Sequence, residues 1–150
     1  TNGISYLHEN NIIHCDIKPA NILLFGNKII KITDFGVSRF SNTTLHKTTI
    51  GTPYYMAPEV YNGKGFNNKI DYWSLGVVIY ELIVFEKPFI ENNIYQLMIR
   101  ILNVDYQLIR VKYKFQILVD NLLKYNPKER YNYENIKLFF KNLFILKKIN

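Results

Sequence analysis

The 150 residues include a single cysteine, Cys15. An internal disulfide framework is therefore excluded, and the thiol count fits a reducing compartment. No run of five or more like charges occurs, and Lys147-Lys148 is the one adjacent basic pair. That excludes a charged tail of the kind that grips polyanions. The longest apolar stretch, Trp73 to Phe85, is too short to span a bilayer and contains Glu81. No signal-peptide pattern opens the sequence. The first residue is Thr, so the chain reads as truncated at its N-terminus. From these absences the expected location is the cytoplasm or the nucleus.

What is present describes a folded domain. Hydrophobic residues make up 48% and charged residues 21%, which argues against disorder. The length suits one domain with a sizeable core. Twelve Tyr and ten Phe suggest a core or grooves rich in rings. The net charge of +7 invites a nucleic-acid or membrane reading, but the lysines are spread along the chain. A scattered, solvated positive surface is the better account, and neither partner is expected.

Along the chain, Ile4 and Leu7 give residues 3–9 a helical spacing that Asn10-Asn11 ends. Ile12-Ile13 leads into a loop over 14–21. Residues 22–25 and 29–32 form a hairpin around a Gly26-Asn27 turn. From Asp34 to Glu59 the chain is polar and Thr-rich, and such a long irregular segment in a compact domain is usually functional. Residues 71–85 are apolar nearly all round and predict a central buried helix. Asn92 or Asn93 caps a helix over 94–102. Further helices are expected over 115–124 and 133–146, separated at Asn126-Pro127. The fold class is mostly α with a short β-hairpin.

The loop His14-Cys15-Asp16-Ile17-Lys18-Pro19-Ala20-Asn21 carries the most chemistry. Phosphoryl transfer to a hydroxyl needs a carboxylate to orient the attacking oxygen, a cation near the phosphate and oxygen ligands for Mg²⁺. Asp16, Lys18 and Asn21 supply these types on one loop, and Asp34-Phe35-Gly36 adds a hard oxygen ligand and a permissive glycine. Read alone, Asp16 and Asp34 are ordinary turn or capping residues.

The order decides between these readings. His-x-Asp-x-Lys-Pro-x-Asn, Asp-Phe-Gly, and Gly51-Thr-Pro-Tyr-Tyr-Met-Ala-Pro-Glu59 are followed by Asp71-Tyr-Trp-Ser-Leu-Gly76, Pro88-Phe89 and Asn126-Pro-Lys-Glu-Arg130. Together they resemble the signature set of eukaryotic protein kinases of the serine/threonine class, over essentially the whole chain. The subgroup pattern is similar to NimA-related kinases. The resemblance implies the C-terminal lobe of a kinase that uses ATP and Mg²⁺ on protein substrates. Asp16 is then the catalytic base, Lys18 the γ-phosphate contact, and Thr52 the residue joining both. Asn21 and Asp34 are the Mg²⁺ ligands, and Leu23 lies beneath adenine with Val78 and Leu82 in support. His14 and Phe35 belong to the stack between the lobes. Glu59 pairs with Arg130, and Asp71 binds amides around His14.

Other residues read more plainly. Trp73, Leu75, Val77 and Ile79 are core. His8 and His46 read as surface residues without partners at ligand spacing. Glu81 either faces a peptide groove and favours basic substrates or is a solvated or locally paired helix carboxylate.

Two departures stand out. Cys15 occupies the place of the Arg that grips a phosphate on the activation segment, which weakens that switch. Arg39 is the alternative contact, and Thr48 or Thr49 the expected acceptors, ahead of Thr43 and Thr44. Second, the sequence holds no glycine-rich loop, strand lysine or paired helix Glu, the parts that cover the phosphates. The N-lobe is read as absent and the fragment as inactive alone. The competing reading is a non-catalytic, kinase-like scaffold, against which the retention of Asp16, Lys18, Asn21 and Asp34 argues.

Overall fold

A computed structural model of the chain describes residues 1–26, 28–40, 51–63, 65–109 and 113–146. Asn27, the four candidate threonines, His46 and the Lys147-Lys148 pair lie outside them. Among the described residues, six α-helices and four short strands follow in order: α1 (Asn2–Glu9), β1 (Ile12–Ile13), β2 (Ile22–Phe25), β3 (Ile29–Ile32), β4 (Arg39–Phe40), α2 (Pro58–Tyr61), α3 (Lys69–Val84), α4 (Ile94–Asn103), α5 (Tyr113–Leu122) and α6 (Tyr133–Leu146). The expected mostly α class is what this order shows.

The centre is α3. Ten of its sixteen residues are buried, including both Asp71 and Trp73, as the all-round apolar pattern requires. Asn67 Oδ1 accepts the Lys69 amide at 2.9 Å at its start. Phe85 closes it in a left-handed conformation, φ 64°, and donates its amide to Glu81 O. Against α3 lies α5, close enough that a methyl on Gly76 would meet Leu122 Cβ at 2.8 Å. Leu118, Leu122, Leu123 and Ile136 complete that side of the core. Trp73 stacks on Phe89 with ring centroids 5.7 Å apart, and Tyr106 meets Phe89 edge-on. For α4, Asn93 is the cap, its Oδ1 accepting the Tyr95 amide at 2.8 Å.

Two small antiparallel sheets flank the helices. In the hairpin β2–β3, Ile22 faces Ile32 and Leu24 faces Ile30. Its outer residues Leu24, Phe25, Ile29 and Ile30 are exposed, so it adds little to the core. The second sheet went unforeseen: β1 pairs with β4, Ile12 opposite Phe40 and Ile13 opposite Arg39. Two residues carry too weak a period to be read as a strand. Among the described residues no helix is long and apolar enough to cross a membrane.

Candidate active site

β1 delivers the chain from the core into the loop, and the buried Ile13 and Ile17 hold it on either side of His14, Cys15 and Asp16. Cys15 takes a left-handed backbone, φ 69°. A non-glycine residue persists there only where its surroundings fix it. Here α3 does so through Asp71, whose Oδ2 accepts the His14 amide and whose Oδ1 accepts the Cys15 amide, each at 2.9 Å. His8 Nε2 lies 2.7 Å from the same Oδ2.

This corrects the reading of His8 as a surface residue. Its side chain is 6% exposed, packs edge-on against Tyr72, and belongs to the support of the loop. Sequence spacing could not reveal it, because its partner is 63 residues away.

The same loop turns Asp16 into a clamped carboxylate. Its Oδ1 accepts the Thr52 amide at 3.0 Å and the Thr52 hydroxyl at 2.9 Å. Its Oδ2 lies 2.6 Å from Lys18 Nζ and accepts Asn21 Nδ2 at 3.2 Å. Lys18 Nζ also donates to Thr52 Oγ1 at 2.9 Å, closing a ring of three side chains. Burial pushes the Asp16 pKa up, but hydrogen bonds from Lys18 and Thr52 and the Lys18 charge outweigh it. The carboxyl stays below its ordinary range and is ionised at neutral pH.

Gly51 makes the approach of Thr52 possible. At φ 101°, a Cβ there would sit 2.6 Å from Cys15 O. No role was assigned to it from the sequence, although its place ahead of Thr52-Pro53 was the available signal.

The turn at 33–36 is fastened to the loop by backbone. Thr33 N donates to Asn21 O at 2.9 Å, and His14 Nε2 lies 3.0 Å from Thr33 O. The His14 and Phe35 rings meet at 5.2 Å. Asp34 stands exposed next to this anchor. It is Asp34, at φ 65°, that takes the left-handed conformation expected of Gly36. Its short side chain makes this tolerable by accepting the Gly36 amide at 3.3 Å.

Cys15 itself is buried, and desolvation with the Asp71 charge beside it pushes the thiol up to about 12. It is a neutral thiol, not a nucleophile.

The protein kinase domain family model matches residues 1–139. This chain belongs to that family. It is 37% identical over 148 residues to the human serine/threonine-protein kinase Nek5, covering 94% of this chain and 21% of that protein. To mouse Nek1 it is 35% identical over 151 residues, 98% of this chain and 12% of the relative. To the serine/threonine-protein kinase pakH of Dictyostelium discoideum it is 54% identical over 92 residues, covering 61% and 18% respectively. The chain thus spans well under half the length of the curated relatives it matches. All three names agree with the serine/threonine class, and the two Nek relatives with the NimA-related resemblance of the sequence.

The remaining kinase-motif residues form one structural cluster. The Arg130 guanidinium, fully buried, meets both Glu59 oxygens, at 2.8 and 3.1 Å. It also donates to Lys69 O at 2.7 Å and to Lys124 O at 2.9 Å. The same group lies over the Trp73 ring, 5.2 Å from its centroid. Trp73 is therefore more than core filling: it is the face on which this ion pair rests.

Leu23 is half exposed on β2, and Leu82 lies open. Val78, by contrast, is buried within the core. Arg39 is exposed on β4, with Nη1 donating to Ser38 O at 3.3 Å. Glu81 is locally paired: it accepts Tyr55 Oη–H at 2.7 Å and faces Lys87 Nζ at 3.6 Å.

Proposed function

We propose that this chain is the C-terminal lobe of a serine/threonine protein kinase that moves the γ-phosphoryl group of ATP to Ser or Thr hydroxyls of proteins. The observation that carries the reading is the clamp on Asp16. Two donors from Thr52, the Lys18 ammonium and the Asn21 amide hold one ionised carboxylate in a fixed orientation. A surface turn residue has no use for such a set.

In this reading Asp16 aligns the acceptor hydroxyl and takes its proton as the oxygen bonds to phosphorus. The bond from phosphorus to the departing oxygen breaks, and its electron pair leaves with ADP. Lys18 supplies positive charge beside the oxygens of the transferred group. Thr52, bonded to both, fixes their separation.

The residues fit a Mg²⁺–nucleotide group. Asn21 commits its Nδ2 to Asp16, which leaves the amide oxygen as its remaining ligand atom. Asp34 brings an exposed carboxylate. Mg²⁺ takes few protein oxygens and completes its shell with phosphates and water, so a single carboxylate and an amide suffice. When bound, the ion supplies charge neutralisation at the phosphates. Leu23 is assigned to the underside of the adenine.

The test is transfer of labelled phosphate to a generic basic protein by the full-length gene product. Replacing Asp16 by Asn is expected to lower the rate by about 10²–10⁴-fold. Equal rates would refute the assigned base.

A further inference from the structure

The turn that follows Thr52 carries two tyrosines into a cluster of ionisable groups that the transfer step does not use. Thr52 bonds Asp16, and the next three residues form a tight turn, Pro53–Tyr55. Tyr54 ends up beneath Lys87, whose Nζ lies 5.3 Å from the ring centroid. Tyr55 spends its hydroxyl on Glu81 Oε2 at 2.7 Å. The other oxygen of Glu81 faces Lys87 at 3.6 Å. Thus α3 offers a carboxylate beneath this turn with a contact on each of its oxygens. What remains open is the ammonium: Lys87 is part-exposed, holds Glu81 by a long contact, and has three donors. The exposed Glu86 lies next to it in the chain, and Arg100 lies across the same shallow pocket.

Resting on the kinase reading, we propose that Lys87 determines substrate specificity, favouring an acidic side chain within about three residues of the acceptor hydroxyl and disfavouring a basic one. Three extended residues reach about 10 Å, and Tyr54 is only two residues from Thr52. A peptide whose hydroxyl sits at Asp16 and runs along this turn therefore comes within reach of Lys87, which lies over Tyr54. A substrate cation seeking Glu81 meets the Lys87 ammonium 3.6 Å from that carboxylate and is repelled by it. A substrate carboxylate meets an ammonium already held in place over an aromatic ring.

The experiment measures kcat/KM of the full-length gene product on peptide pairs that differ by one flanking Glu or Lys, scanned over three positions on each side of the acceptor. The wild type is expected to prefer Glu at one or more positions by about three- to five-fold, the range of a part-exposed ion pair. Lys87→Met, which keeps the apolar stem, is expected to bring the ratio to one, and Lys87→Glu to reverse it. Glu81→Gln unties Lys87 and is expected to raise the acidic preference. If Glu81 reads substrate cations itself, that variant instead loses a basic preference, which overturns the proposal. Ratios unmoved by all three variants overturn it too, while transfer itself persists. Absence of transfer to every peptide by the wild type sinks the kinase reading, and this proposal with it.

Discussion

At Arg130 a single side chain satisfies two backbone carbonyls and both oxygens of Glu59 while resting on an indole. That demands a planar fork of donors, which an ammonium cannot imitate. Arg130→Lys is therefore expected to behave as a broken pair, destabilising the fold by about 3–5 kcal/mol despite its conserved charge. Denaturant unfolding monitored by Trp73 fluorescence checks this, and a loss below about 1 kcal/mol would contradict it. The ion pair was legible from the motif, since Glu59 and Arg130 each closed a recognisable run. Its indole platform was not, because Trp73 sits in a stretch so apolar that burial explained it fully. His8 and Gly51 were hidden for a related reason. Each acts on the loop through a contact made across the fold, His8 with Asp71 and Gly51 with Cys15 O.

Among the elements, α3 was the most readable and is also the least tolerant. Its all-round apolar sequence allows only a central position, and Gly76 is where α5 comes nearest. The lining atoms there are Leu122 Cβ at 2.8 Å and Leu123 Cδ2 at 3.0 Å, the first fixed to its backbone. Gly76→Ala is favoured by helix propensity, by about 1 kcal/mol, yet overpacking costs about 1–3 kcal/mol. A net loss of stability is expected, read as a lowered Tm. A raised Tm would show that α5 can withdraw freely. The helix boundaries shifted by a few residues from expectation, as α3 begins at Lys69 and α5 at Tyr113. Termini depend on local hydrogen bonds, and α3 starts early where Asn67 Oδ1 accepts the Lys69 amide. The sheet of β1 and β4 stayed unread because its pairing is long-range and each strand is two residues long.

For the molecule as a whole, the carboxylate clamp ties stability to pH. The pKa of Asp16 is lowered in the fold, so its contribution is fully present above the unfolded value, about 4. It is lost as pH falls through the lower folded value. Asp16→Asn lacks this contribution at every pH. The stability gap between wild type and variant is therefore expected to be constant above about pH 4 and to shrink below it. Chemical denaturation at pH 6 and in steps towards pH 2 measures the gap, and one that does not narrow would rule out the clamp as its source. The net charge of +7, by contrast, is spread along the whole sequence. Among the described residues some of these cations serve local tasks, such as Lys69 Nζ donating to Arg130 O at 2.6 Å.

The pairing of Ile12-Ile13 with Arg39-Phe40 works as a clasp. Everything from His14 to Ser38, including both candidate metal ligands, hangs from that ladder as one closed loop. A slip of one residue would turn Ile13 out of the core and unseat the whole loop at once.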